Sequence, residues 1–420
     1  MAKTKRADSS AEDCVRIDGE LYDVRHWSAK HPGGAILKQF LGRDAAGAFG
    51  AFHGAVARKM LRGFKARNAV GFAPEVGYSD DVERDFAALR GRAVEAGLFE
   101  SRPVWFYLHA ALLFSGIGGA IALVTIAPAF WPIAALLLAL VWQQGGWLSH
   151  DFLHNSVHAD YAKSEVVGSL LGGIVLGFSG DWWKRKHNTH HALPNVLGVD
   201  EDIDTTPFLS FTEADLARMG PGARVLVRLQ PVTALPVIAF ARLNWMVASV
   251  RWALSSPTVE RRGLELSAIA VHHAWSIGML ALLPTWGQRI ACYALAQLVS
   301  GLFTGAVFLV GHNARPIFDK TEAPGFCALQ CATTQNIRPW PGMRWFFGGL
   351  DRQIEHHLFP TMPRHNHARI AADVRALCAA HGLTYVERGF GEGLVDVARV
   401  LVRVSRAVWY RLPTTAVDAT

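Results

Sequence analysis

The chain has 420 residues, of which 51% are hydrophobic and 18% are charged, whereas an average soluble chain carries about 25% charged residues. This shortage of charge favours a membrane protein, and the length allows two or three folded units. The net charge of +7 is spread around apolar segments, which is typical of a basic cytosolic rim on membrane helices. A nucleic-acid partner would call for a basic stripe on a soluble fold, so we expect none.

The N-terminal part combines two histidines with turn residues. Residues 1–12 are polar and predicted to be disordered. In the small domain expected at 13–75, the string His31-Pro32-Gly33-Gly34 is followed by His53 at a spacing of 22 residues. Two neutral imidazoles that face each other can fill both axial positions of a haem iron, and the glycines and proline allow a tight turn beside it. A lone string of this kind would indicate only a turn.

This segment closely resembles the cytochrome b5 family over residues 13–75. The resemblance implies that His31 and His53 ligate haem b, with Pro32, Gly33 and Gly34 in the adjoining turn, and that the domain carries single electrons. We therefore expect an α+β haem domain, followed by a charged helical linker at 76–103.

Four later stretches have the roughly 20 apolar residues that a membrane span requires. They are residues 104–126, 130–148, 264–283 and 290–311. Residues 168–180 and 231–241 are too short to span and are predicted to be interfacial or re-entrant. With a cytosolic N-terminus, the two loops that face away from the cytosol hold a single basic residue, Arg289, which fits the positive-inside rule. Both termini are then cytosolic, including a tail at 386–420.

Three polar clusters lie on the predicted cytosolic side of these spans. The clusters are His150, His154 and His158; His187, His190 and His191; and Gln353, His356 and His357. Residues that are three or four positions apart share one face of a helix, so each cluster is predicted to present a set of ligands. The acidic run at 200–204 follows the second cluster and is interpreted either as support for its histidines or as a solvated loop.

The number of histidines indicates more than one metal ion. Imidazole binds iron, zinc, copper and nickel, so the ligand type alone does not identify the metal. A zinc ion would need only three or four ligands. Eight or more ligands imply two metals, and two redox-active irons suit oxygen chemistry.

These clusters resemble the histidine boxes of the membrane fatty-acid desaturase and hydroxylase superfamily, over about residues 104–370. The fused haem domain, Gln353 and the strings Trp182-Trp183-Lys184 and Leu358-Phe359-Pro360 are similar to front-end acyl desaturases. That resemblance implies an all-α di-iron membrane domain at 104–385, with His312 as a further ligand. It also implies O2 as co-substrate, electrons from NADH or NADPH through cytochrome b5 reductase, and an endoplasmic reticulum location.

The activity implied is insertion of a cis double bond between an existing one and the carboxyl end, near carbons 5 to 8. His158 departs from the family pattern, and its ligation stays open, as does whether Gln353 binds iron or orients a neighbour. The acyl carrier is open between phospholipid, coenzyme A and a sphingoid base. A sphingolipid long-chain-base desaturase, an acyl hydroxylase and, from another class, a membrane haem electron carrier without oxygenase activity are the alternatives.

Overall fold

The computed structural model describes residues 13–28, 30–31, 33–66 and 79–410. The disorder predicted for residues 1–12 and the predicted role of Pro32 lie outside these residues. The described chain forms a small N-terminal unit, a long helical bundle and a cap of short elements.

The N-terminal unit contains a hairpin and short helices. Strands β1 (Cys14–Ile17) and β2 (Glu20–Asp23) pair antiparallel, with Cys14 opposite Asp23. The two-residue turn between them has positive φ at both Asp18 and Gly19, which matches the right-handed twist of the strands. A 3-10 turn (Gly34–Phe40) and helices α1 (Ala46–Phe52) and α2 (Ala55–Leu61) follow.

Helix α3 (Asp80–Glu95) lies within the predicted linker and joins the N-terminal unit to the cap. Ser79 caps its N-terminus by accepting a hydrogen bond from the Val82 N–H, as short polar side chains do at this position. The Phe86 ring is buried and packs against Phe326 at 5.9 Å and Phe359 at 5.5 Å between ring centroids. These residues belong to one buried apolar cluster that continues into the N-terminal unit.

The bundle consists of eight helices. They are α4 (Pro103–Ile126), α5 (Trp131–Leu153), α6 (Tyr161–Leu171, continued by a π turn over Gly172–Leu176), α7 (Gly180–Ala192), α8 (Pro221–Ala239), α9 (Ala241–Ser255), α10 (Arg262–Ala281) and α11 (Trp286–His312). Pro103 at the start of α4 and a Thr285–Gln288 capping box at the start of α11 are typical helix-initiation signals.

Within the described residues, three segments can cross a membrane by length and composition: Pro103–Ile126, Pro128–Leu153 and Trp286–His312. The pair α6 and α7 bends by 110° and the pair α8 and α9 by 60°, which gives up to five spans if each pair counts as one. These bends lie at the two stretches predicted to be interfacial or re-entrant. The four predicted spans are not confirmed, because α10 forms a helix that carries Glu265 and His272 and is not among the candidate spans.

The cap contains α12 (Phe326–Thr333), α13 (Gln353–Leu358), α14 (His367–Ala380) and α15 (Phe390–Tyr410). Strands β3 (Asn336–Arg338) and β4 (Glu387–Gly389) pair in parallel. The predicted C-terminal tail is, as far as it is described, the helix α15, which packs along α8. Gln230 of α8 donates from Nε2 to the Leu401 carbonyl at 2.8 Å, which ties the two helices together.

Candidate metal centre

Eight histidines meet at one end of the bundle, each at most 5% exposed. They come from the C-terminal end of α5, from α7, from the last residue of α11 and from α13. Their ring nitrogens form two groups, and the ligand atoms within each group all lie within 4.8 Å of one another. The first group is His150, His154, His187, His191 and His356, and the second is His190, His312 and His357.

Histidines that are adjacent in sequence belong to different groups. Successive residues of an α-helix point about 100° apart, so His190 faces the second group while His191, four residues after His187, faces the first. His356 and His357 divide in the same way. Each of these two clusters therefore contributes to both groups, because its HH pair is divided between them.

Hydrogen bonds fix the rings of the second group. The Nδ1 of His190 donates to Asp200 Oδ2 at 2.9 Å, and the Nδ1 of His357 donates to Gln330 Oε1 at 2.9 Å. The Nδ1 of His312 donates to the Thr333 carbonyl at 3.2 Å. A hydrogen bond of this kind places the ring proton on Nδ1, so the lone pair of Nε2 can bind a metal. The Nε2 atoms of His190 and His312 lie 3.3 Å apart.

The first group presents nitrogens that have no partner in the described structure. The Nε2 atoms of His150, His154 and His356 are buried without a hydrogen bond, a situation that costs free energy unless a ligand is bound. Burial and then the nearby His150 lower the pKa of His356 well below its ordinary value. Buried imidazole nitrogens in two close groups fit two metal ions of the iron, zinc, copper and nickel class.

Two predicted ligands behave differently from each other. Gln353 is buried and its amide Nε2 lies 2.7 Å from His312 Nε2, so its side chain reaches the second group. His158 belongs to neither group, since α5 ends at Leu153 and the His158 Nε2 instead forms a 2.9 Å hydrogen bond with the Tyr107 hydroxyl.

Distant elements hold the histidine-bearing helices in place. The N-terminus of α7 is capped by Ser179, which contacts Glu265 of α10, and Glu265 Oε1 accepts from the Asp181 N–H at 2.8 Å. Before α13, Gly348 has φ of 59°, and a Cβ there would lie 2.2 Å from Trp147 Cγ. This glycine allows the chain to turn closely against α5.

Sequence reasoning left some supporting residues unidentified. Asp200 is buried and bonded to His190, as the first interpretation of its acidic run predicts, and the solvated-loop interpretation is wrong at this position. Gln330 gave no signal. In the third cluster Glu355 is fully buried, and its carboxylate accepts from Tyr385 at 2.6 Å and from Asn336 at 2.9 Å.

The two histidines of the N-terminal unit face each other, with ring centroids 5.7 Å apart. The Nδ1 of His53 donates to the Phe49 carbonyl at 3.2 Å, which leaves its Nε2 free. Burial and then the neighbouring His53 lower the pKa of His31 to about 4, and burial also lowers the pKa of His53. Gly33 lies against the His31 ring, where a Cβ would come within 2.8 Å. Two neutral imidazoles at this separation fit the axial positions of a haem.

This histidine pair lies against the metal centre. The ring of Phe52, next to His53, meets the His191 ring edge-on at 6.4 Å, and Thr361 donates to the Ala51 carbonyl at 3.3 Å. Gly34 has φ of 72° and sits against the Arg185 guanidinium of α7. The N-terminal unit therefore packs directly on the end of the molecule where the eight histidines meet.

A cavity begins at His150 and runs between the bundle helices. Its free volume is about 50 Å³. Its wall is mostly apolar and aromatic. The aromatic lining residues are Trp142, Trp147, Phe178, Trp183, Trp245 and Phe308.

The fold and the site define a helical membrane protein that has a polyhistidine centre suited to two metals, an apolar cavity at that centre and a docked haem-type domain. The family model described as Fatty acid desaturase matches residues 126–389, and that of the Cytochrome b5-like Heme/Steroid binding domain matches residues 2–69. The chain belongs to the fatty acid desaturase family and carries a cytochrome b5 domain fused at its N-terminal side.

Characterised relatives align along most of the chain. The chain is 34% identical to the Acyl-lipid (9-3)-desaturase of Physcomitrium patens, over 96% of this chain and 78% of the relative. It is 33% identical to the Delta(8)-fatty-acid desaturase of Euglena gracilis, over 93% of this chain and 95% of the relative. It is 32% identical to a Delta(6)-fatty-acid desaturase of Caenorhabditis elegans, over 90% of this chain and 93% of the relative.

Proposed function

We propose that this protein is a front-end desaturase that inserts a cis double bond into polyunsaturated fatty acyl chains, near carbons 5 to 8. The observation that carries the proposal is the pairing of an eight-histidine centre with an apolar cavity that opens onto His150. The names of the relatives, which include Delta(6) and Delta(8) desaturases, support the range of positions.

The chain's own residues would hold and orient the metals. When bound, two iron ions supply the power to activate O2 and to remove hydrogen from an unactivated C–H bond. The eight histidines would ligate them, with Gln353 at the second ion. Asp200, Gln330 and the Thr333 carbonyl fix the ring orientations, and burial of the whole set keeps bulk water out.

The cavity would position the acyl chain. Its aromatic wall suits methylene groups, and its contact with His150 brings one part of the chain to the first histidine group. The carbons presented to the metals would be set by how far the chain enters. The head group, on phospholipid or coenzyme A, remains at the aqueous end.

The fused domain would supply electrons. His31 and His53 would ligate haem b, which a cytochrome b5 reductase using NADH or NADPH would reduce. The docked position of Phe52 beside His191 keeps the donor next to the acceptor, which raises its effective concentration over that of a separate protein. We place the protein in the endoplasmic reticulum membrane with both termini cytosolic.

The test is expression in a host that lacks polyunsaturated fatty acids, with candidate acids supplied singly and products located by gas chromatography–mass spectrometry. We expect a new cis double bond on the carboxyl side of an existing one, and none in a His356→Ala variant. A hydroxylated product without a new double bond would favour the hydroxylase. Purified protein that contains haem iron but no non-haem iron would support the electron carrier.

A further inference from the structure

A buried cation lines the cavity. Arg242 is 3% exposed, and its guanidinium lies 4.1 Å from the Trp142 ring centroid and 5.4 Å from that of Phe178. It donates to the Gln297 side-chain oxygen at 2.6 Å, the Leu176 carbonyl at 2.8 Å and the Met246 sulfur at 2.8 Å. None of these acceptors is a carboxylate, so the charge is held only by neutral groups and aromatic faces.

Three hydrogen-bond donors that line this cavity lack a partner in the described structure. They are the Nε of Arg242, the Nε1 of Trp142 and the hydroxyl of Ser300. All three residues are at most 3% exposed. Unsatisfied buried donors are costly, and these three belong to residues of α5, α9 and α11 that line one cavity. An occupant of the cavity that offers electron density would satisfy them.

The orientation of an acyl chain in the cavity follows from its polarity. Trp142 and His150 lie eight residues apart on α5, which is about 12 Å along the helix axis, and the His150 end meets the cap. The polar carbonyl end of a lipid stays near water, so the methyl end points toward Trp142. Carbons on the methyl side of the reacting position therefore lie beside Arg242.

We propose, building on the proposed desaturase function, that Arg242, Trp142 and Ser300 select acyl chains that already carry cis double bonds on the methyl side of the reacting carbons. A saturated methylene chain offers no acceptor to these donors. The π electrons of a double bond attract a guanidinium and accept weak N–H and O–H hydrogen bonds. The wall thus recognises unsaturation in a part of the chain where no bond changes.

The test measures binding in the purified full-length protein in detergent. Cis-parinaric acid, a fluorescent polyene, is displaced by methyl esters of equal length that are either saturated or polyunsaturated. Arg242→Met should reduce the preference for the polyunsaturated ester about two- to fivefold, the range expected from loss of one cation–π contact. Arg242→Lys should retain part of it. Arg289→Met is the matched control, because Arg289 stacks on Trp286 at 4.8 Å outside the cavity, and it should leave the preference unchanged.

Equal weakening of both esters in Arg242→Met would show that Arg242 only anchors helices, and would overturn the proposal. The free acids of the same chains are tested as competitors in parallel. A loss confined to these free acids, with methyl esters unaffected, would show that Arg242 binds a carboxylate, and would also overturn the proposal. If Arg242→Met does not accumulate, the same ratio is measured in Ser300→Ala, where an unchanged preference decides against the proposal. The binding preference is measured without turnover. The selectivity proposal can therefore be refuted while the desaturase assay succeeds, and the preference can be confirmed while no desaturation is found.

Discussion

Replacing Asp200 with Asn tests whether the second histidine group is held ready for a metal by its surroundings. Asp200 Oδ2 accepts from His190 Nδ1 at 2.9 Å and from the Asn195 N–H at 2.8 Å, and Oδ1 accepts from the Asp202 N–H at 2.9 Å. In the variant, one amide oxygen replaces the two carboxylate oxygens, so it cannot accept all three hydrogen bonds. If the amide oxygen takes the place of Oδ1 and accepts from the Asp202 N–H, the amide NH2 faces His190 Nδ1 and the Asn195 N–H.

An NH2 group facing Nδ1 favours the tautomer in which the proton sits on Nε2. That nitrogen then cannot donate to a metal. Loss of such a supporting partner typically lowers metal affinity 10- to 100-fold, or about 1.4–2.8 kcal/mol at 1.4 kcal/mol per tenfold. We expect the same range for Asp200→Asn.

The assay is non-haem iron per chain after dialysis against increasing chelator, with the haem absorbance as an internal count of protein. Asp204→Asn is the matched control, since Asp204 is exposed and its carboxylate accepts from the Thr206 hydroxyl. Asp200→Asn should release iron at 10- to 100-fold lower chelator than the wild type, and the control should not. Identical release curves would refute the view that this bond tunes the site.

Three further outcomes are expected. Phe86→Ala should lower the free energy of unfolding in detergent by about 3–5 kcal/mol, the usual cost of deleting a buried ring. Val94→Ala is the control, because Val94 is half-exposed and should cost less than about 0.5 kcal/mol. Equal losses would contradict a core shared by α3, the cap and the N-terminal unit. His158→Ala should retain both non-haem iron and desaturation, and a drop in iron would restore it as a ligand. His31→Ala should lose the haem spectrum, keep its non-haem iron and desaturate only when a separate cytochrome b5 is supplied; unimpaired activity without one would exclude haem as the point of electron entry.

Local patterns in the sequence identified much of this architecture. The spacing of His31 and His53 predicts a facing pair, and the structure brings the two rings together. The stretches at 104–126, 130–148 and 290–311 are apolar throughout, so composition alone identifies them as candidate spans. His312 could be predicted only by resemblance, and it lies in the second histidine group.

The remaining features depend on contacts between distant parts of the chain. The segment of α10 was predicted to span because its apolar residues outnumber its polar ones. In the fold Glu265 is buried on the N-terminus of α7 and His272 is buried beside the Ile174 carbonyl, so this helix supports its neighbours with polar groups. Asp200 and Gln330 act on histidines that come from other elements, and no periodicity in the sequence records such pairings.

The helical period explains both the success and the failure of the ligand prediction. A four-residue spacing brings His187 and His191 into the first group, and the turn of about 100° between neighbours sends His190 into the second. An HH pair on a helix can therefore supply ligands to two groups, which is a stronger argument for two ions than the number of histidines. The same spacing has no such meaning for His158. Helix α5 has ended at Leu153 and Asn155 takes a positive φ of 59°, so the face that His150 and His154 share does not continue to position 158.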